Sequence, residues 1–180
     1  MLPTDMTDAL IGTLAGAEAD AHRAGWGRPE FVLLFISHRP APAGDGPHQR
    51  LRVCEYVFDG QRLATHPGGV AEVMQHLATA LGADDPDRAG QAPEPDPDGP
   101  GWRTLAWAAI YEDVNVAHLT RARHVDAVDA DGRVYQLRRL ETDEPLLSVD
   151  NLPDPADTPA TQPALAALVA VTTRPPATHP

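Results

Sequence analysis

The chain contains no lysine, one cysteine and two serines, and only 5% of its 180 residues are aromatic. Each scarcity removes a class of function. A single Cys54 excludes an internal disulfide and any zinc or iron–sulfur centre assembled from several cysteines. Without lysine there is no G-x-x-x-x-G-K-[ST] phosphate loop, so Gly68-Gly69 reads as the lead-in to a helix, and no G-x-G-x-x-G occurs either. Ser37 and Ser148 lie in no G-x-S-x-G context, which removes the common nucleophile elbow. No apolar run approaches the roughly 20 residues that cross a bilayer. The N-terminus, MLPTDMTDALIGTL, carries acids where a secretory signal carries basic residues, so the expected location is cytoplasmic. Abundant alanine, arginine and proline without lysine fit the codon bias of a GC-rich bacterial or phage genome.

What is present is unevenly spread. The formal charge is −12, and −9 of it falls in residues 83–100 and 143–180, which also hold thirteen of the nineteen prolines. Acidic, proline-rich segments cannot bury enough apolar surface to offset chain entropy. The charge therefore reads as solvated appendages, not as an acidic binding face. The expectation is one α+β domain over 1–142, interrupted by a disordered acidic loop at 83–100. A low-order tail over 143–180 would follow, with a short helix at 164–171.

Within the domain, Met6, Leu10, Leu14, Ala17 and Ala21 recur at helical spacing, with Thr4 or Thr7 to cap the start and Gly25 after the end. Phe31 to Ile36 (FVLLFI) is an unbroken apolar run, as for a strand buried on both faces. Leu51 to Phe58 predicts a second strand, with Cys54 as a small core residue. Val70, Val73, Met74, Leu77 and Leu81 predict a second helix.

The densest strand signal lies in 101–141. Trp102 to Tyr111 predicts a central strand, with Leu105, Trp107, Ala109 and Tyr111 on one side. Arg121–Ala130 and Arg133–Leu140 predict a hairpin about Asp131-Gly132, setting Val128 opposite Tyr135 and Val125 opposite Arg138, unless a bulge or longer turn shifts the register. The resulting fold class is two-layer α+β: about five mainly antiparallel strands with two helices on one face, in the order α-β-β-α-β-β-β, plus the C-terminal helix. That order is similar to profilin-like and roadblock-like domains, a likeness of topology alone.

Chemistry is thinly represented. Asp126 to Gly132 (DAVDADG) fails as a calcium loop, because Ala127 and Arg138 would fall on its first and twelfth positions. Catalytic candidates are Glu112, Asp113, His118 and His124, where carboxylates beside imidazoles could serve acid–base or metal-assisted hydrolysis. No histidine spacing forms a compact ligand set, so no metal or cofactor is assigned. Arg121, Arg123, Arg133, Arg138 and Arg139 concentrate basic charge on the hairpin. Interleaved acids disfavour nucleic acid and favour cross-strand pairing. The expected role is a non-enzymatic accessory or protein-binding module, its partner another protein or a second copy. A small metal-assisted hydrolase is the alternative and a nucleic-acid module the third reading.

Overall fold

A computed structural model describes residues 1–27, 30–39, 50–59, 69–82, 102–115, 120–141, 143–150 and 160–173. The elements are α1 (Thr4–Ala24), β1 (Glu30–Arg39), β2 (Arg50–Asp59), α2 (Gly69–Gly82), β3 (Arg103–Asn115), β4 (Thr120–Asp129), β5 (Val134–Leu140), β6 (Leu146–Asp150) and α3 (Gln162–Thr172). Six strands form one antiparallel sheet in the order β2-β1-β3-β4-β5-β6. The α+β class, the antiparallel sheet, the element order and the C-terminal helix are those expected. The loop expected to be disordered at 83–100 lies outside the described residues. No described helix is long and apolar enough to cross a membrane.

Two features correct the expectation. The sheet has a sixth strand, β6, in a stretch read as low-order. The stacking has three layers instead of two, because the helices divide between the faces. Alternation along β1 dictates this: Phe31, Leu33 and Phe35 point one way, and Leu34 and Ile36 the other, all essentially buried. A strand that is apolar on both faces needs cover on both. Met6, Leu10 and Leu14 of α1 cover Leu34, Ile36, Ala108, Val125 and Leu137. On the opposite face, Met74 and Ala78 of α2 and Ala164, Leu165, Leu168 and Val169 of α3 cover Leu33, Phe35, Trp107 and Val128. Each fully buried Leu or Phe contributes about 1.5–3 kcal/mol relative to exposure. Cys54 is half-buried against this second cluster, as a core residue would be.

The hairpin register also differs by one residue. Val128 pairs with Val134 and Val125 with Leu137. The cause is Asp129, fully buried, whose Oδ1 accepts from the backbone N–H of Asp131 and Arg133 (2.9 Å each) and whose Oδ2 accepts from Tyr135 Oη at 2.7 Å. These bonds favour a longer turn, with Gly132 at φ 82 where only glycine is unstrained. The shift sets Val125 and Ala127 on one buried face with Tyr135 and Leu137. In β3 a bulge at Leu105 leaves that residue without a β1 partner, so Leu105 joins Ala106 on the α1 face instead of Trp107's.

Candidate functional site

The α1 stripe changes character along its length. Large residues (Met6, Leu10, Leu14) fill its first half, and the next position on the same face, four residues on, is Glu18, 1% exposed. Glu18 is bound bidentately by Arg139, with Nε to Oε1 at 2.7 Å and Nη2 to Oε2 at 2.8 Å. That hydrogen bond raises the guanidinium further above its ordinary range against the opposing effect of burial, so its charge is fixed. Beside it lies Arg123, 2% exposed, donating from Nη2 to Glu112 Oε1 at 2.6 Å and to the carbonyl of Gly25 at 2.7 Å. Glu112 Oε2 accepts in turn from the N–H of Gly27 at 2.8 Å. Positive φ at Gly25 (101°) and Gly27 (78°) lets the chain turn back after α1 and set Trp26 4.3 Å from the Arg123 guanidinium, a cation–π contact. Two acids and two arginines thus form a neutral, mostly buried quartet.

The quartet is incompletely satisfied. Arg123 Nη1 is buried and makes no hydrogen bond; Glu18 Oε1 lies 3.7 Å away, near enough for charge but too far for a bond. Next to it is a cavity of about 220 Å³ that Arg123 lines. Its apolar walls are Ala17, Ala21 and Ala24 of α1 with Val32, Val57 and Ile110 of the sheet, and Asp20, Glu55 and Glu112 supply carboxylates. The cavity exists because α1 turns to alanine after Leu14 and because β2 extends past the single helix on this face.

The other face of β3 and β4 holds a different network. Asp126 Oδ2 accepts from Tyr111 Oη at 2.7 Å and from Thr161 Oγ1 at 2.6 Å, latching the start of α3 to the sheet. Burial, followed by the neighbouring Asp126 carboxylate, drives the Tyr111 phenol far above its ordinary value. Trp107 Nε1 donates to Thr172 Oγ1 at 3.1 Å and Thr104 Oγ1 to the Thr172 carbonyl at 2.9 Å, latching the other end.

The catalytic candidates divide between these networks. Glu112 faces α1. Asp113 and His124 lie on the α3 side, 3.2 Å apart, with the imidazole stacked on Tyr111. Neighbours on a strand point to opposite faces, so Glu112 and Asp113 cannot share a site; His118 lies outside the described residues. Among the described residues no three His, Cys, Asp or Glu side chains are grouped to hold a metal. The basic hairpin is likewise divided: Arg123 and Arg139 are in the quartet, and Arg133 contacts Asp131 at 3.7 Å. Sequence reasoning missed Glu18, although its place four residues after Leu14 on a buried face signalled it. No family model, curated protein or solved structure matches this chain.

Proposed function

We propose that the protein is a non-enzymatic accessory module that binds another polypeptide, or a second copy of itself, along the edges of its sheet. One observation carries this reading. Among the described residues, and apart from Met1, the exposed large apolar side chains all stand on the two edge strands: Val53 (40%) and Val57 (62%) on β2, and Leu146 (77%), Leu147 (41%) and Val149 (39%) on β6. Edge strands offer unpaired backbone N–H and C=O groups, and soluble proteins ordinarily blunt them with charge or proline. Here exposed apolar side chains alternate with charge, Val53 and Val57 with Glu55 and Asp59 on β2, and such an edge suits addition of a partner strand, in which main-chain bonds give affinity and side-chain contacts give specificity. A cytoplasmic setting fits the single, half-buried Cys54.

Photo-crosslinking tests the reading. A benzophenone amino acid placed at Val57 or Leu147, in cells of a host carrying the gene, is expected to capture one polypeptide of constant mass. The same group at His76, exposed on α2, is expected to capture none. Equal labelling from all three positions, or from no position, would sink the proposal.

A further inference from the structure

The β2 edge specifies the chemistry of the strand it would take. We infer, resting on the edge-binding proposal above, that the segment added at β2 is cationic: an arginine or lysine with an apolar side chain two residues to either side. Burial alternates along β2. Arg52, Cys54, Tyr56 and Phe58 are half-buried, the last three against the Trp107 cluster. Val53, Glu55, Val57 and Asp59 are all exposed, and the two-residue period of a strand puts them together on the opposite, α1 face. Leu51, at the start of that face, still packs against the α1 cluster. The strip left open beyond it reads apolar, acidic, apolar, acidic. Glu55 at its middle is held by no ion pair among the described residues.

Side chains directly opposed on neighbouring strands share a face and interact: apolar pairs and opposite charges stabilise, and like charges destabilise. The position opposite Glu55 therefore favours a basic residue, and those opposite Val53 and Val57 favour apolar ones. The aliphatic stem of an arginine or lysine also lies well along the flanking valines. An apolar-x-basic-x-apolar segment reads the same in both chain directions, so it fits this strip whichever way the partner strand runs. A second copy of β2 does not supply that pattern. The antiparallel self-pairing that sets Val53 opposite Val57 also sets Glu55 opposite Glu55. Moving the register by one step either way sets Glu55 opposite a valine.

The test uses the full chain and three capped heptapeptides, Thr-Val-Thr-X-Thr-Val-Thr, with X arginine, glutamine or glutamate. Each is titrated while the methyl NMR signals of Val53 and Val57 are followed. The arginine peptide is expected to shift both saturably, about three-fold more tightly than the glutamine peptide and about ten-fold more tightly than the glutamate one. That advantage should shrink above about 0.1 M salt, where exposed charges are screened. Glu55→Arg is expected to invert the order. Glu55→Gln, which keeps the shape of the side chain, is expected to remove the difference between the arginine and glutamine peptides. Equal binding of all three peptides, or an order unchanged in both variants, would overturn the cationic assignment while strand addition stands. No saturable shift with any peptide would overturn both at this edge. Shifts of Val53 and Val57 that depend on the concentration of the chain alone would place a second copy there, and would overturn the assignment too.

Discussion

On the side of the sheet that Trp107 faces, two helices lie over the strands, and the latching contacts join hydroxyl or indole donors to Asp126 and Thr172. On the side that Glu112 faces, a single helix covers the strands and two ion pairs are buried beneath its last turns. The first face is closed by matching apolar surfaces, and its polar groups only fix where α3 begins and ends. On the second, Val53 and Val57 of β2 stay exposed beyond the α1 cluster. There the buried charges hold the Gly25–Trp26–Gly27 turn at the border between covered and open sheet, and the cavity begins where they stop. Buried charge here marks a boundary of the core, where the desolvation of a buried ion pair offsets much of its attraction.

The sharpest way to break that contrast is to remove the centre of each face. Trp107→Ala leaves a void and Arg123→Ala leaves Glu112 buried without its cation; each is expected to cost about 3–5 kcal/mol in urea unfolding. The faces then differ in how they are rescued. Arg123→Leu combined with Glu112→Leu is expected to recover most of the Arg123 loss, since the uncompensated charge is gone. If the double variant is as unstable as Arg123→Ala, charge is not what distinguishes this face. A smaller effect is expected at the latch: Asp126→Ala strands the hydroxyls of Tyr111 and Thr161 and should cost about 1–3 kcal/mol. Hydrogen exchange should then rise in α3 and not in α1; a uniform rise would show that the latch is not local.

The smallest effect is a pH dependence that the two faces share. Burial, then the hydrogen bond to Asp129, pushes the Tyr135 phenol up to about 12, and Tyr111 on the opposite face is raised as well. From about pH 10 the unfolded chain loses phenol protons that the folded chain retains. The folded state then binds more protons, so stability falls as pH rises from about 10 towards about 12. Tyr135→Phe and Tyr111→Phe are each expected to flatten the alkaline limb in part, and the double variant more. An unchanged slope would assign the alkaline loss elsewhere.

Much of the architecture was legible because it rests on local pattern. FVLLFI announced a strand buried on both sides, and the same observation, pressed further, demanded helices on both faces. The split of Glu112 from Asp113 was legible too, since adjacent residues on a strand diverge. What the sequence concealed depended on contacts between distant segments. Asp129 looks like any turn acid until Tyr135 and two backbone N–H groups converge on it and lengthen the turn. β6 escaped notice because an edge strand exposed on both faces has no buried stripe to betray it, and Pro145 and the acids around it read as solvated chain. The vacant bonding capacity of Arg123 is invisible from composition, because it reflects the 3.7 Å that separates Nη1 from Glu18.

The bulge at Leu105 bears on how the length of this chain can vary. Thr104 faces α3, Leu105 and Ala106 both face α1, and Trp107 faces α3 again, so β3 carries one residue more than its ladder with β1 uses. Loss of one codon at 105 or 106 restores plain alternation and keeps Thr104, Trp107 and Ile110 on their present sides. The same loss at Ala108 uses up the bulge but turns Ala106 and Trp107 over while Ile110 and Glu112 keep their sides, moving the indole from the Phe35 core to the α1 face. β3 thus has a reserve of a single residue, placed at one point, and elsewhere along its buried length its residue count is as constrained as its composition.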